Sequence, residues 1–306
     1  MKILITGGAG FIASNIADRF LELGYEVVIV DNMITGQREN IPAAATFYEM
    51  DICDPGIKNV FESEKPDLVC HHAAQMDVRK SVADPAYDAS VNILGTINLL
   101  QNCVKFGVKK FNFASTGGAI YGEQEYFPAD EKHVNQPLSP YGITKLACEK
   151  YLFFYKETHG LDYTILRYAN IYGPRQNPHG EAGVVAIFSQ RMLRGEQPFV
   201  NGDGTQTRDY VFVGDVVKAN ELALTNGTGK IYNVGTGIET DVNTLFDTIA
   251  AQMDHKVERK HREGQPGEQL RSVLDASLIN KELGWSPTVN LEEGLRRTVE
   301  FFRKKK

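Results

Sequence analysis

Two residues separated by one helical turn could carry acid–base chemistry. Tyr141 and Lys145 stand four positions apart in the run YGITK, so on a helix both side chains lie on one face. A tyrosine ionises near ~10, and an adjacent ammonium favours the phenolate, which lowers that pKa and makes the tyrosine a base near neutral pH. The same spacing also occurs by chance, so the pair predicts chemistry only where neighbouring elements place it in a cleft.

A glycine-rich run near the beginning of the chain could hold a phosphate group. Residues 7–13 read GGAGFIA, and Gly7 and Gly10 permit a tight turn that brings a pyrophosphate to the N-terminus of the following helix. Asp31 ends the second apolar segment, VVIV, where a carboxylate binds both ribose hydroxyls and repels a ribose phosphate. These residues predict a dinucleotide site and favour NAD over NADP.

The elements that would position these residues alternate through the first half of the chain. Amphipathic stretches such as 12–23 and 91–106 predict helices between short apolar strands. The predicted strands are 3–5, 27–30, 46–48, 68–70, 111–114 and 163–166. Because crossovers between parallel strands are right-handed, this alternation predicts a doubly wound parallel α/β sheet.

After about residue 168 the composition changes, because Gly, Pro and Asn become frequent. This change predicts a smaller mixed α/β C-terminal lobe that includes a helix at 291–302. Residues 211–220 and 231–234 indicate a return to the sheet domain. We therefore expect two interleaved units, a cofactor domain of residues 1–167 with about 211–235 and a substrate lobe of residues 168–210 and 236–306.

The composition narrows the possible partners. Of the 306 residues, 42% are hydrophobic and 24% charged, which is typical of a globular enzyme, and the net charge of −6 argues against nucleic-acid or membrane partners. The seven histidines lack metal-ligand spacing, so no metal is expected. The four cysteines have no C-x-x-C pairing and, with the absence of a leader-like N-terminus, favour a cytoplasmic protein. These are Cys53, Cys70, Cys103 and Cys148.

With these motifs in place, the chain resembles the extended short-chain dehydrogenase/reductases along essentially its whole length. The resemblance is strongest to their UDP-glucose 4-epimerase branch, and it rests on several further runs of sequence. These are STGGAIYG from Ser115, RYANIYGP from Arg167, GDG from Gly202, RDYV from Arg208 and LGWSP from Leu283. The resemblance implies a Rossmann fold, tightly bound NAD, a UDP-sugar substrate and a homodimer built through the helices at 91–106 and 141–155.

The resemblance also implies which residues bind the cofactor. Asp51 and Ile52 would contact the adenine, and the small residues Ala73 and Ala74 would let the backbone lie against the dinucleotide. The complete expected set is Gly7, Gly10, Phe11, Ile12, Asp31, Asn32, Asp51, Ile52, Ala73, Ala74, Gln75, Asn92 and Lys145.

For the substrate, the resemblance assigns Asn170 and Arg208 to the diphosphate and places Phe199 and Asn201 near the uridine. The family's second arginine usually precedes a Pro-Gly-acid triplet, but Gln265 stands there, so Arg271 is the expected substitute. Glu268 is the acid of that triplet. Ser272, four residues later, would limit the size of the sugar, and its small side chain would leave room for an N-acetyl group.

The catalytic hydroxyl departs from the family pattern. Counting back from Tyr121, the usual Ser or Thr is replaced by Gly117. Thr116 is expected to bond the reacting sugar oxygen and relay its proton to Tyr141, with Ser115 as the neighbouring hydroxyl. A water molecule or Tyr141 alone could do the same.

The same run separates possible reactions. Dehydratases of this family carry Thr-Asp-Glu where this chain has Gly117, Gly118 and Ala119, so it lacks the acids needed to eliminate water. The resemblance thus implies NAD-dependent epimerisation at C4 of a UDP-hexose through a 4-keto intermediate. UDP-N-acetylglucosamine or UDP-glucuronate epimerisation stays open, the latter with Arg175 or Arg191 for the carboxylate. A non-catalytic NAD or nucleotide-sugar regulator is the alternative from another class.

Overall fold

The central element of the computed structural model, which describes residues 1–178, 183–264 and 269–305, is a seven-stranded parallel sheet. Its strands lie in the order β10-β6-β5-β4-β1-β2-β3. They are β1 (Lys2–Thr6), β2 (Glu26–Asp31), β3 (Thr46–Glu49), β4 (Leu68–His71), β5 (Lys110–Thr116), β6 (Asp162–Tyr168) and β10 (Lys230–Val234). The predicted doubly wound α/β fold is confirmed, and the expected return of 231–234 to this sheet occurs as β10.

The strand order reverses between β1 and β4. From β1 the chain adds β2 and β3 on one side, then crosses to β4 and adds β5, β6 and β10 on the other. Since every neighbouring pair is parallel, the carboxyl ends of all seven strands meet at one edge. Ligands of such sheets bind at this edge, in the crevice where the order reverses.

Helices cover both faces of the sheet. They are α1 (Phe11–Glu22), α2 (Ile57–Glu64), α3 (Val78–Ala83), α4 (Pro85–Ala89), α5 (Gly95–Phe106), α6 (Gly117–Ile120), α7 (Pro140–His159), α8 (Val184–Leu193), α9 (Val213–Ala223), α10 (Val242–Ala250), α11 (Ser277–Leu283) and α12 (Leu291–Lys304). The predicted helices at 12–23 and 291–302 are confirmed. The predicted helix at 91–106 begins instead with a π-helical turn, Ser90–Leu94, and continues as α5.

The remaining strands form two small sheets. In the first, β9 (Thr207–Phe212) lies between β7 (Asn170–Tyr172) and β11 (Glu239–Asp241), and in the second β8 (Phe199–Asn201) pairs with β12 (Lys260–Arg262). Residues 211–220, predicted to return to the sheet domain, divide between the end of β9 and the helix α9. Residues of α9 pack with β6 and β10, whereas β9 finds its hydrogen-bond partners in β7 and β11.

The helix α7 begins and ends at clear sequence signals. Ser139 accepts a hydrogen bond from the backbone N–H of Gly142 at 3.2 Å, and Pro140 occupies the first helical position. Gly160 ends the helix in the left-handed conformation, with φ of +70°. These signals fix the rotation at which the first turn of α7 presents its side chains to the sheet.

A buried ion pair fastens α7 to the sheet. The guanidinium of Arg167 on β6 donates two hydrogen bonds to the Glu149 carboxylate on α7, at 2.9 and 2.6 Å, and both side chains are at most 2% exposed. Ser115 donates to the same carboxylate at 2.6 Å, and Arg167 also donates to the Tyr121 hydroxyl at 3.0 Å. Arg167 and Ser115 therefore keep their bonds to Glu149 only while α7 keeps its position against the sheet.

Within the described part of the chain, none of the helices has the length and apolar character needed to cross a bilayer.

Replacing Glu149 by Gln should strongly destabilise the fold, because it leaves the buried Arg167 cation without its counter-charge. We expect the free energy of unfolding to fall by about 3–5 kcal/mol in urea denaturation. The matched control is Glu293→Gln, which breaks exposed ion pairs with Arg296 and Arg297. That variant should keep a wild-type midpoint, and equal losses in the two variants would contradict the proposed role of the buried pair.

Candidate active site

The predicted pair meets at the carboxyl edge of β5. Lys145 is buried, and its Nζ donates a hydrogen bond to the Ala114 carbonyl at 2.9 Å. The same nitrogen lies 4.8 Å from the ring centroid of Phe113 and 5.9 Å from that of Tyr141. The two side chains therefore share one face of α7, as their spacing predicts, and they lie directly against the sheet.

The electrostatics of the pair differ from the expectation. Burial lowers the pKa of Lys145 to about 8, although Cys148, Asp88 and Glu149 oppose that shift. Burial also raises the pKa of Tyr141 above its ordinary value, and the Asp88 carboxylate raises it further. The predicted lowering of the tyrosine pKa is wrong for the protein alone, because desolvation dominates there.

The hydroxyl of Thr116 lies where a reacting oxygen could be bound. A side-chain carbon added to Gly118 would stand 3.9 Å from Thr116 Oγ1 and 3.6 Å from Asn170 Oδ1, so both oxygens lie within van der Waals contact of the same position. The Thr116 hydroxyl has no hydrogen-bond partner in residues 1–178, 183–264 or 269–305. Ser115, the alternative candidate, points to the other face of β5 and is bound to Glu149.

The glycine at position 117 has a structural reason. A Cβ on Gly117 would lie 2.4 Å from Cδ1 of Leu274, whose side chain is fully buried. Leu274 therefore occupies the room that the family's usual Ser or Thr would need. These two residues are far apart in the sequence, so the motif alone could not reveal their contact.

The first turn after β1 closely approaches the loop after β4. Gly7 has a φ of +71°, and a Cβ there would stand 2.7 Å from the backbone nitrogen of Ala73. The helix α1 begins at Phe11 with Gly10 as its N-cap and no side chain over its end. This arrangement leaves an anion free access to the helix N-terminus, as a dinucleotide pyrophosphate requires.

Asp31 ends β2 beside that turn. Its carboxylate accepts hydrogen bonds from the backbone nitrogens of Ala9 at 3.0 Å and Met33 at 2.9 Å. Asn32 donates to the Asp51 carboxylate at 2.8 Å, which joins the ends of β2 and β3. The predicted ribose and adenine residues thus lie along one edge of the sheet, and they fit NAD.

Two predicted cofactor residues, Ile52 and Asn92, have buried side chains. The side chain of Ile52 packs against the backbone of Gly95 in α5, within the core. Asn92 exchanges hydrogen bonds with the backbone of Gln75, accepting from its nitrogen at 2.9 Å and donating to its oxygen at 3.0 Å. Asn92 therefore shapes the loop after β4, which contains Ala73 and Ala74.

Sequence reasoning missed one buried carboxylate in this region. Asp88 in α4 is fully buried and accepts hydrogen bonds from Gln75, Asn92 and Thr144. The only available signal was an acid four residues before Asn92 in a helical pattern, which by itself predicts nothing.

The predicted uridine residues lie on β8. Phe199 is 37% exposed, and Asn201 accepts a hydrogen bond from Arg262 of β12 at 2.5 Å. Arg208 of β9 donates to the Thr207 carbonyl at 2.7 Å. These contacts do not test the predicted substrate roles of Phe199, Asn201 and Arg208, which stay predictions.

The other predicted substrate residues have different surroundings. Arg271 forms a bidentate ion pair with Glu239, at 3.0 and 2.5 Å, and stacks 3.7 Å from the ring centroid of Phe127. Ser272 is buried beside β9. Gln265 and Glu268 lie outside the described residues.

Arg175 and Arg191 were the two arginines considered as partners for a uronate carboxylate. Arg175 forms an ion pair with Asp18 of α1 at 2.7 Å, and Arg191 lies exposed on α8. Arg191 thus has an ordinary surface position, whereas Arg175 is half-buried and its Nη1 is buried with no hydrogen-bond partner among the described residues.

The comparison with known proteins now identifies the family. Residues 3–235 match the NAD dependent epimerase/dehydratase family. The chain belongs to this family. A UDP-glucose 4-epimerase from Thermotoga maritima, solved with UDP-glucose, is 50% identical with a TM-score of 0.98, covering 100% of this chain and 99% of that chain. A Thermus thermophilus UDP-glucose 4-epimerase complex with NAD is 45% identical with a TM-score of 0.94 and covers 99% of each chain. A putative UDP-glucose 4-epimerase from Methanocaldococcus jannaschii is 46% identical over 98% of each chain.

Restoring the family's serine should harm this chain. We expect Gly117→Ser to cost about 1–3 kcal/mol of stability, because its Cβ overlaps Leu274. In urea denaturation the double variant Gly117→Ser with Leu274→Ala should lose less than the sum of the two single losses, since the truncated leucine makes room. Gly118→Ala is the matched control, since its Cβ would meet only ordinary contacts. Strict additivity in the cycle would contradict the Gly117–Leu274 contact.

Proposed function

We propose that this chain catalyses NAD-dependent epimerisation at C4 of a UDP-hexose, interconverting UDP-galactose and UDP-glucose through a transient 4-keto intermediate. One observation carries the proposal: half-buried Tyr141 and buried Lys145 share one helical face at the carboxyl edge of the sheet, in a chain that resembles UDP-glucose 4-epimerases over its full length. The oxygen-rich space beside Gly118 adds a place for the reacting hydroxyl.

The residues proposed to bind NAD lie along the carboxyl edge of the sheet. Gly7, Gly10 and the first turn of α1 (Phe11, Ile12) would bind the pyrophosphate, and Asp31 and Asn32 the adenine ribose. Asp51 and Ile52 would border the adenine, whereas Ala73, Ala74 and Gln75, supported by Asn92, would border the remaining dinucleotide. NAD held by these residues would supply the acceptor and donor of the C4 hydride.

Tyr141 would move the proton of the C4 hydroxyl. Burial opposes its ionisation, so the phenolate must be stabilised by nearby positive charge, and Lys145 supplies an ammonium on the same helical face. Because the pKa of Lys145 is about 8, this ammonium is largely retained at neutral pH. The Thr116 hydroxyl would bond the same sugar oxygen and relay the proton.

Substrate binding would use the residues on the small sheets. Asn170 borders the space beside Gly118, so it can bond the diphosphate end of a sugar nucleotide lying there. Arg208 would neutralise the diphosphate, with Phe199 and Asn201 near the uridine. Arg271 could bind the diphosphate only if its guanidinium first released the Glu239 carboxylate. Glu268 and Ser272 are proposed as further contacts to the substrate.

The absence of carboxylates at positions 117–119 supports epimerisation over dehydration. Elimination of water needs an acid and a base beside the sugar, and this run provides Gly117, Gly118 and Ala119. The chain therefore has residues for one reversible proton and hydride exchange at a single carbon.

The proposed reaction is tested by incubating purified protein with UDP-galactose, without added cofactor, and following the sugar proton NMR signals. Appearance of UDP-glucose supports 4-epimerisation and a retained NAD. No conversion, even after NAD is supplied, would overturn the substrate assignment. The same assay with UDP-N-acetylglucosamine and UDP-glucuronate then tests the two alternative sugars, and no reaction with any of them would favour the regulator.

The replacement Tyr141→Phe should abolish most turnover while leaving NAD bound, because only the phenolic oxygen is removed. We expect kcat to fall by roughly 10²–10⁴-fold, the usual contribution of a general acid–base group. NAD content measured after denaturation should equal that of the wild type. A variant that keeps more than a tenth of the activity would overturn the assignment of the base.

We also propose that the protein is a cytoplasmic homodimer with the two interleaved units described above. Exposed apolar side chains form a stripe on α7, comprising Ile143, Tyr151 and Phe154, and a second stripe near α5, comprising Leu94 and Val104. On α7 the three side chains are eight and three positions apart, which places them on one helical face, and Leu94 and Val104 are ten positions apart. Two copies could therefore pair through a four-helix contact. The four free cysteines agree with a reducing compartment.

Phe154→Glu should convert the dimer to a monomer, since it buries a charge at the centre of the proposed contact. Light scattering after gel filtration measures the mass of the particle directly. The control is Phe153→Glu, which changes an equally exposed neighbour on a different face of α7. Dimers of unchanged stability in both variants would contradict this surface.

A further inference from the structure

A buried carboxylate lies beneath the proposed catalytic pair. Asp88 is fully buried, and its oxygens accept hydrogen bonds from Thr144 Oγ1 at 2.8 Å, Gln75 Nε2 at 2.8 Å and Asn92 Nδ2 at 3.1 Å. All three donors are neutral, and no cation forms an ion pair with Asp88 in the described residues. A buried charge held only by neutral donors exerts its field on whatever lies nearby.

The three donors lie on three different segments around the proposed site. The single hydroxyl hydrogen of Thr144 has two acceptors within reach, Asp88 at 2.8 Å and the Tyr141 carbonyl at 2.9 Å, and Thr144 lies on the turn of α7 that carries the proposed base. Gln75 belongs to the loop after β4 that borders the proposed cofactor. Asn92 lies in the π-helical turn before α5, a feature frequent at functional sites.

We infer that Asp88 is a positioning residue for the proposed epimerisation: its carboxylate joins the Tyr141 turn to the cofactor loop and sets the electrostatic potential at the Tyr141–Lys145 pair. This inference rests on the proposed function and deepens it. It assigns to Asp88 a role in tuning the proton transfer, without contact between Asp88 and the substrate.

The direction of the effect follows from the sign of the charge. A negative carboxylate favours the protonated form of both neighbours, and Asp88 indeed raises the pKa of Tyr141 and of Lys145. For Lys145 it opposes burial and helps to keep the ammonium. For Tyr141 it works with burial and favours the protonated phenol.

Among the described residues around the cluster, Asp88 is the buried carboxylate that forms no ion pair. Glu149 is bound to Arg167, and Cys148 stays a thiol because burial raises its pKa. Burial lowers the pKa values of His71 and His72, the latter to about 3, so both stay neutral. From the flanking turns come the helix-capping carboxylates Asp77 and Asp84 and the exposed cations Arg79 and Lys80.

The test is the pH dependence of kcat for Asp88→Asn, assayed with UDP-galactose. Removing the charge lowers the pKa of both Tyr141 and Lys145, so the acidic and alkaline limbs should both move to lower pH, by on the order of one unit. A purely structural role would lower the height of the profile without moving its limbs. The control Asp254→Asn removes a 92% exposed carboxylate and should leave the profile in place.

A second variant keeps the test decisive if Asp88→Asn does not fold. Thr144→Val preserves shape and carboxylate but removes one donor, so the less screened charge should move both limbs to higher pH. The inference would be overturned if the limbs of the pH profile did not move in Asp88→Asn. It would also be overturned if they moved to lower pH in Thr144→Val. These outcomes require an active wild-type protein, whereas failure of the proposed function would appear as an inactive wild type.

Discussion

The buried pair of Glu149 and Arg167 is the contact on which the site depends. Glu149 lies one helical turn beyond Lys145 on α7, and Arg167 lies near the end of β6, so their bidentate bond sets the helix against the carboxyl edge of the sheet. A charge pair this deeply buried is stable only with near-ideal geometry. The requirement restricts how α7 can slide or rotate, and it thereby restricts where Tyr141 can point.

The cofactor side of the site is built from close backbone contact. The turn at Gly7 touches the loop at Ala73, and Asn92 and Asp88 hold that loop through Gln75. Because Asp88 also binds Thr144, the loop and the first turns of α7 are parts of one hydrogen-bonded unit. The proposed chemistry thus rests on two buried acids with different tasks, one paired with a cation and one without.

Much of this arrangement could be predicted from local patterns. Short apolar runs followed by glycine or an acidic residue predicted the parallel sheet and the edge at which a cofactor would bind. The Tyr141–Lys145 spacing predicted that both side chains share one helical face. Long-range contacts could not be predicted in this way. The overlap of Gly117 with Leu274 joins distant parts of the chain, Arg271 is engaged by Glu239 on another strand, and the pKa of Tyr141 depends on burial that no local pattern encodes.

The central claim is that one hydride leaves C4 and returns to the same carbon while the sugar stays bound. The most direct measurement uses UDP-galactose deuterated at C4, with the UDP-glucose product examined by NMR and mass spectrometry in ordinary water. The account predicts that the product keeps its deuterium at C4. Replacement of that deuterium by solvent hydrogen would mean that C4 loses a proton to solvent, and it would contradict hydride transfer within a closed site.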